Sequence, residues 1–315
     1  MIEQEKTMDE LLGNSNERYF GDIFRSFYID IQSLKLIGDS ELSGTFSAEY
    51  LGPLRPRAEA PHLGSIEYLT LALRLTTHSL NQLGRISIAD TDRAFLRSYK
   101  LHSKDSLGMG VHTFHCRMLH SKADMESMQG SSSLFEIRLG DTHIHIEVDH
   151  RGGMRYSSLP EAETIPWNME QLHSIGYKCS DMELIPLEMD LQQQEITARV
   201  SNRYLFPENS LHGIGSARDA LLATDATRVF GQLMQVLLYE MEDSDRQRCP
   251  NIWLRKMELQ SERPLFTGKA RAKVTFEHIR EIQKGNTYWK LVSLSGSVGN
   301  FIGKFEVAFE VKKLS

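Results

Sequence analysis

The stretch SARDALLATDATRVFGQLMQVLLY, residues 216–239, decides which fold the sequence predicts. Ser216 is a suitable N-cap, and the later part of the stretch is apolar on nearly all sides, as in a buried helix. Its polar residues recur at spacings of three and four, so they share one face of that helix. They are Asp225, Arg228, Gln232, Gln235 and Tyr239. Such a stripe either faces solvent or lines a ligand cavity, and the helix alone leaves both alternatives open.

The composition argues against several classes of protein. The chain has 315 residues, of which 40% are hydrophobic and 25% charged, and its formal net charge is -6. The negative charge and the lack of a basic run argue against a nucleic-acid partner. No apolar run is long enough to span a membrane, and the N-terminus lacks the apolar core of a signal peptide. The three cysteines have no disulfide or metal spacing, so we expect a cytoplasmic protein.

The order of predicted elements occurs twice along the chain. A second helical pattern, residues 64–84, follows a proline-rich loop that ends at His62. In each half, two strands precede a loop with a histidine, a long helix follows, and four strands complete the half. The repeat predicts halves at 1–150 and 169–315 with a linker at 151–168. The predicted fold class is α+β, a double hotdog in which two antiparallel sheets, joined edge to edge, each wrap round a long central helix.

Three blocks of the sequence resemble the avirulence protein D (AvrD) family. They are LLGNSNERYFG, EYLGPLRPRAEAPHLGSIEYL and TDATRVFGQLMQVLLY, and their order and spacing carry the resemblance over nearly the whole chain. The resemblance implies a biosynthetic enzyme that forms a syringolide-like signal, an acyl-sugar-derived butenolide or butyrolactone. The reaction would be acyl transfer from a β-ketoacyl thioester, then condensation with loss of water. The family is also similar, in its hotdog halves, to A-factor-type butyrolactone synthases and polyketide dehydratases.

The resemblance also implies an acid–base pair. In double-hotdog dehydratases the first half supplies a histidine beside its helix and the second supplies an aspartate on its own helix. The best matches here are His62 and Asp225. The residues that follow them depart from the dehydratase motifs: Gly64 comes early, and Val229 stands where a glutamine or histidine is usual. These departures count against a plain β-hydroxyacyl dehydratase, which is kept as the enzymatic alternative.

Physical chemistry suggests a role for each member of this pair. His62 just precedes a helix, whose dipole disfavours a cationic ring, and a neutral imidazole is able to act as a general base. Asp225 is able to act as a general acid only if burial keeps it protonated. Their functional atoms should lie within roughly 8 Å of each other if both reach one small group. An apolar tunnel, lined by residues such as Leu69 or Leu233, should hold the acyl chain.

Other polar residues of the two helices are candidates for substrate binding. Amides and cations are able to hold a carbonyl oxygen, although a solvated face or an ion pair explains the same residues. The candidates of this kind are Gln232, Arg228 and Gln235, and the carboxyl group of Glu67 is a further candidate for substrate binding. On the first long helix, Glu67 belongs to a stripe with Arg74 and Asn81, near His78, which favours a solvated face.

We expect neither a metal nor a cofactor. Several strand histidines lack the carboxylate or cysteine that would complete a metal motif. They are His112, His115, His120, His143 and His145. The expected partners are a β-ketoacyl thioester, on acyl carrier protein or coenzyme A, and a hydroxylated acceptor. Because the two sheet edges join within one chain, we expect a monomer or a weak dimer. A non-catalytic protein that carries or senses an acyl ligand is the alternative from another class.

Overall fold

The computed structural model describes residues 6–53, 60–123, 131–150, 166, 171–205, 211–217, 221–245, 252–262, 268–284 and 287–311. Four α-helices lie within these ranges: α1 Met8–Leu12, α2 Ser65–Gln82, α3 Ile88–Asp92 and α4 Ala223–Met241. The two long helices, α2 and α4, are those that the sequence predicts. None of the helices in the described ranges is long and apolar enough to cross a membrane.

All twelve predicted strands form. In the first half they are β1 Phe27–Ile37, β2 Glu41–Tyr50, β3 Phe95–Ser103, β4 Gly110–Ala123, β5 Ser131–Leu139 and β6 Thr142–His150. In the second half they are β7 Ser180–Asp190, β8 Glu195–Tyr204, β9 Ile252–Ser261, β10 Lys269–Lys284, β11 Thr287–Val298 and β12 Phe301–Val311.

The strands form a single sheet rather than the two sheets of the prediction, and the predicted edge-to-edge junction lies within it. The order across the sheet is β1-β2-β4-β5-β6-β3-β9-β12-β11-β10-β8-β7, and neighbouring strands are antiparallel. The halves meet where β3 pairs with β9, from Ser98 opposite Gln260 to His102 opposite Lys256. Each of these strands would otherwise leave a row of backbone donors and acceptors unpaired, and pairing satisfies both rows.

The repeat of elements is confirmed by the strand order. Counted from the outer edge inward, the first half runs β1, β2, β4, β5, β6, β3, and the second runs β7, β8, β10, β11, β12, β9. The predicted linker, 151–168, lies outside the described residues apart from residue 166. The boundaries at 1–150 and 169–315 therefore stay predictions.

The helix α2 is buried along almost its whole length. It packs against β1, β4, β5 and β6 on one side and against α4 on another. Every residue of α2 except Gln82 is buried. The expectation that Glu67, Arg74, Asn81 and His78 form a solvated face is therefore wrong, because neighbouring elements cover that face as well.

The helix α4 begins later than the sequence predicts. Its N-cap position is Leu222, and Ser216 instead donates its backbone N–H to Gly213 in a turn. The hydroxyl of Tyr204 accepts the backbone N–H of Leu222 at 2.8 Å, so a tertiary contact helps to set the helix start. In the polar stripe, Gln235 is half-buried and the other four residues are buried, so the stripe is not a solvent-facing surface.

Candidate functional site

Residues 6–26, here called the N-terminal segment, cross over to the helix of the other half. The Arg228 side chain of α4 donates to the backbone oxygens of Phe20 and Gly21. The ring of Phe20 packs where Gly231 has no side chain, and a Cβ at Gly231 would lie 2.4 Å from that ring. Glycine at this position lets the segment lie directly on α4.

A cavity of about 400 Å³ opens beneath this segment. The first half contributes the N-terminal segment, the start of α2 and the turn after β3, and the second half contributes α4 and β9. The polar residues that matter most for its chemistry are Arg18, Tyr19, His62, Lys104, Gln235 and Arg255. The cavity is therefore shared between the halves.

His62 lies at this cavity with its ring held in place. The imidazole stacks on the indole of Trp253, with ring centroids 5.2 Å apart and planes 10° apart. Its Nδ1 atom lies 3.4 Å from the backbone oxygen of Ala60, and its backbone forms a bridge with Gly108. The ring is thus positioned by β9 of the second half and by its own loop.

Tyr19 and Glu67 form a close pair at the start of α2. The Tyr19 hydroxyl lies 2.5 Å from Glu67 Oε2 and accepts the backbone N–H of Ile66 at 3.0 Å. Glu67 Oε2 also accepts the backbone N–H of Gly64 at 2.8 Å. Burial raises the pKa of Glu67 to about 7. A Cβ at Gly64 would lie 2.4 Å from the Tyr19 hydroxyl, so this contact requires glycine.

Arg18 brings a buried positive charge to the cavity. Its Nη1 donates to Gln232 Oε1 at 2.7 Å, and its Nη2 donates to Asp9. Burial lowers the pKa of Arg18, and the nearby charge of Asp9 opposes that shift. Gln232 does not line the cavity but fixes the cation that does, whereas Gln235 lines it directly.

The structure does not bring Asp225 to this cavity. Its side chain is fully buried and bonded to four neighbours. Its carboxylate accepts from Ser180 Oγ at 2.7 Å, Asn202 Nδ2 at 3.1 Å, Tyr204 Oη at 2.8 Å and Arg228 Nη1 at 3.1 Å. Arg228 is likewise absent from the cavity wall. The catalytic role of Asp225 stays a prediction, and its contacts are those of a group that holds other side chains.

A small apolar chamber of about 50 Å³ adjoins the cavity. The two share the wall residues Phe20, Ser65, Ile252 and Leu254. The chamber continues among side chains of α4 and the second-half strands, namely Phe230, Met234, Met257, Leu294, Phe305 and Val307. The predicted lining residues Leu69 and Leu233 do not border it, because both point into the core.

The matching place in the second half is nearly filled. A cavity of about 40 Å³ lies there, bordered by His173, Ile214 and Leu221 among others. His173 Nε2 bonds to the backbone oxygen of Ile214 at 2.9 Å, and burial lowers the pKa of this imidazole to about 4. The loop histidine of this half, His212, places Nδ1 2.8 Å from Asp92 Oδ2.

Sequence reasoning missed Arg18, Tyr19, Trp253 and Arg255 as site residues. None of them belongs to a periodic stripe on a long helix, the pattern that singled out every candidate except His62. Arg18 and Tyr19 do lie in the block LLGNSNERYFG, one of those that carry the family resemblance. Membership of that block was the feature of the sequence that could have marked Arg18 and Tyr19 as candidates.

Comparisons with known proteins were made for sequence and for structure. The sequence model of the family described as Pseudomonas avirulence D protein (AvrD) matches residues 4–309. No curated protein sequence matches the chain.

Three solved structures illustrate the structural matches. A TesB protein of Mycobacterium avium subspecies paratuberculosis is 10% identical with a TM-score of 0.44, and the match covers 92% of this chain and 99% of that one. A 12:0-ACP thioesterase from Umbellularia californica is 11% identical with a TM-score of 0.41, covering 87% and 98%. A bifunctional dehydratase-cyclase domain in ambruticin biosynthesis is 12% identical with a TM-score of 0.36, covering 89% and 94%. Since the family match spans nearly the whole chain, the protein belongs to the AvrD family.

Proposed function

We propose that the protein is a double-hotdog enzyme that converts a β-ketoacyl thioester into an acyl-sugar-derived butenolide or butyrolactone of the syringolide-like class. Membership of the AvrD family supports this proposal. The observation that carries it is the shared cavity, which joins polar groups at the start of α2 to an apolar chamber.

The shape of the site suits an acyl thioester. The chamber would take the end of the acyl chain, since its walls are almost entirely apolar side chains. Lys104 and Arg255 lie exposed at the cavity, and Arg255 Nη1 donates to the backbone oxygen of Lys104 at 3.2 Å. These two cations favour the phosphate of a phosphopantetheine arm or of coenzyme A, although Asp105 beside them reduces the local positive charge.

The proposed reaction has two bond-forming steps. A hydroxyl of the acceptor attacks the thioester carbonyl, a C–O bond forms, the C–S bond breaks, and the thiol leaves with the hydroxyl proton. His62 then removes a proton from the carbon between the two carbonyl groups, and this carbanion attacks a carbonyl carbon of the acceptor. The alkoxide that forms takes a proton from His62, and the new carbon–carbon bond closes the ring. His62 then removes the second proton of the same carbon, the tertiary hydroxyl takes a proton and leaves as water, and a carbon–carbon double bond forms in the butenolide ring.

The cavity residues would stabilise the charge that develops in these steps. Arg18 is held rigidly by Gln232 and Asp9, so it is oriented before the substrate binds. Gln235 offers an amide donor from the facing helix. Within this proposal Arg228 and Asp225 act indirectly: they fix the backbone of the N-terminal segment and the helix start from which the cavity is built.

The test is turnover by the purified protein. It is incubated with a medium-chain β-ketoacyl-CoA and a ketopentose, and free thiol and product mass are measured. We expect both thiol release and a product that has lost water. The variant His62→Ala should retain thioester binding and lose product by roughly 10²- to 10⁴-fold, the range for a general base. The control His115→Ala removes an exposed strand histidine and should have no effect.

Two other outcomes would replace the proposal. Binding of the thioester by the wild-type protein, with no turnover for any acceptor, favours the non-catalytic acyl-binding alternative. Reversible loss of water from a β-hydroxyacyl-CoA without an acceptor favours the dehydratase alternative.

A further inference from the structure

Hydrogen bonds around Glu67 point to a group that is neutral in part of the physiological pH range. Oε2 has two partners, the Tyr19 hydroxyl and the backbone N–H of Gly64. Oε1 is buried and has no hydrogen-bond partner among the described residues. An ionised carboxylate with one bare, buried oxygen is costly, whereas the carbonyl oxygen of a neutral acid loses much less on burial.

The position of one proton changes what Tyr19 is able to do. If Glu67 is ionised, the Tyr19 hydroxyl donates to Oε2, and its hydrogen points away from the cavity. If Glu67 carries a proton on Oε2, it is able to donate to Tyr19, whose oxygen then accepts twice, from Glu67 and from Ile66 N–H. The hydrogen of Tyr19 is then released toward the cavity that this residue lines.

The charges around Glu67 allow both states. Lys178, from the segment before β7, is the nearby cation that lowers the pKa of Glu67, but burial is the larger effect and raises that pKa to about 7. Tyr19 and Tyr177 are the facing hydroxyl groups, and burial raises the pKa of each, so neither becomes a phenolate beside this carboxylate. Arg74 lies further along α2, and its charge lowers the pKa of Tyr177 and of Lys178.

We propose that Tyr19 is the proton donor of the cavity and that Glu67 is the positioning residue whose protonation turns the Tyr19 hydroxyl toward the substrate. The identity of the substrate rests on the function proposed above, whereas the behaviour of the pair does not. In the dehydration step, the C–O bond breaks and the departing oxygen takes the proton of Tyr19 and leaves as water. The Glu67 proton moves to the Tyr19 oxygen, and solvent then returns a proton to Glu67. His62 releases to solvent the proton that it removed from carbon.

The pair is first tested without turnover. The full-length protein is labelled with ¹³C at the glutamate carboxyl carbons, and their chemical shifts are followed by NMR as the pH changes. Glu67→Gln identifies the Glu67 signal by its loss. We expect Glu67 to titrate near 7, well above the ordinary value of 4.5. Titration of Glu67 at or below that ordinary value overturns the inference, whatever the enzyme does.

Ligand binding supplies the second test. The probe is a β-ketoalkyl thioether of coenzyme A, which has no cleavable thioester, and its Kd is measured by calorimetry across the pH range. In the wild type we expect binding to weaken by about 5- to 10-fold as the pH rises through the Glu67 titration, the effect of losing one hydrogen bond. Tyr19→Phe should bind weakly at every pH. Glu67→Gln should also bind weakly at every pH. The Gly64 N–H needs an acceptor at the position of Oε2, so the amide oxygen of the glutamine takes that position. The Tyr19 hydroxyl then donates to this oxygen and not to the ligand.

A matched control comes from the other half of the molecule. Tyr204→Phe removes a hydroxyl that bonds a helix-start carboxylate in the same way but does not line the cavity. It should keep the pH dependence of the wild type. A pH dependence that survives Tyr19→Phe unchanged overturns the assignment of Tyr19. A wild-type protein that does not bind the probe at any pH contradicts the proposed function instead, and the NMR titration then decides the inference.

Discussion

The two long helices begin with the same local arrangement. Glu67 is the third residue of α2 and Asp225 is the third residue of α4. Each carboxylate is bonded to a tyrosine hydroxyl, and each hydroxyl also accepts a backbone N–H at the helix start. The surroundings then differ. Asp225 has a buried arginine and two further side-chain donors, whereas Glu67 has one backbone N–H and a bare oxygen.

The comparison shows that a helix-start carboxylate bonded to a tyrosine has different properties in different surroundings. A carboxylate that is bonded to an arginine and to several other donors, as Asp225 is, holds its neighbours in place. At Glu67, burial outweighs the charge of the nearby Lys178 and raises the pKa of the carboxyl group to about 7. The open cavity of about 400 Å³ adjoins the second kind of helix start, and the residual cavity of about 40 Å³ lies near the first.

The largest expected effect comes from breaking the arrangement at α4. Asp225→Ala leaves the guanidinium of Arg228 buried without its counter-charge, which should lower the free energy of unfolding by about 3–5 kcal/mol. Urea denaturation measures the loss. Asp225→Asn keeps the shape of the side chain and should lower the free energy of unfolding by less. It replaces Asp225→Ala in the measurement if the alanine variant does not fold. Both variants remaining within about 1 kcal/mol of the wild type would contradict the structural role.

Acid should destabilise the protein through two buried histidines, His78 on α2 in the first half and His173 in the second half. Burial lowers the pKa of both His78 and His173 to about 4, below the ordinary value of 6.5. A depressed histidine pKa means that the unfolded chain binds the proton more tightly, so stability is lost as the pH falls from 6.5 toward 4. Between about pH 7.5 and pH 5 we expect a loss of about 2 kcal/mol per ring. His78→Gln and His173→Gln should each remove that part of the slope in urea titrations, and His115→Gln should not.

Glu67 should have the opposite pH dependence. Its pKa is raised from 4.5 to about 7, so the folded state binds the proton more tightly, and the contribution is lost as the pH rises through 7. From about pH 5.5 to pH 7.5 the loss should be about 2 kcal/mol. Glu67→Gln should flatten this part of the stability curve. An unchanged slope in that variant would show that Glu67 is ionised throughout.

The smallest expected effect is at the chamber. Gly231→Ala gains about 1 kcal/mol of helix propensity, but its methyl group meets the Phe20 ring, and such overpacking costs about 1–3 kcal/mol. We expect a net loss of about 1 kcal/mol and a preference for shorter acyl chains, measured by urea denaturation and by a series of acyl-CoA thioethers. Equal affinity changes along the whole series would place the acyl chain elsewhere.

The fold was largely predictable because hydrophobic periodicity is a local property. Alternation along β6, for example, buries Ile144, Ile146 and Val148, and this pattern is legible in the sequence. The edge-to-edge junction was predicted from the repeat, but the strands that form it were not, since the pairing of β3 with β9 joins strands far apart in the chain. The start of α4 was missed for the same reason: the hydroxyl of Tyr204 helps to fix it at Leu222.

The candidate site was predicted only in part. His62 and Gln235 do line the cavity, yet Arg228 and Asp225 do not. Spacing alone shows which residues share a helix face, but not what covers that face. Here the cover is the N-terminal segment, whose Arg18 and Tyr19 project into the site from a stretch without periodicity.

Pairing β3 with β9 inside one chain also changes what mutation is able to do. In a symmetric dimer of identical subunits, every substitution occurs twice, so two equivalent pockets must open or close together. A single chain that carries both halves has no such restriction. Leu221 and His173 are able to fill one pocket while Tyr19 and His62 shape the other. Because each half has its own residues, mutations are able to close one pocket and leave the other open.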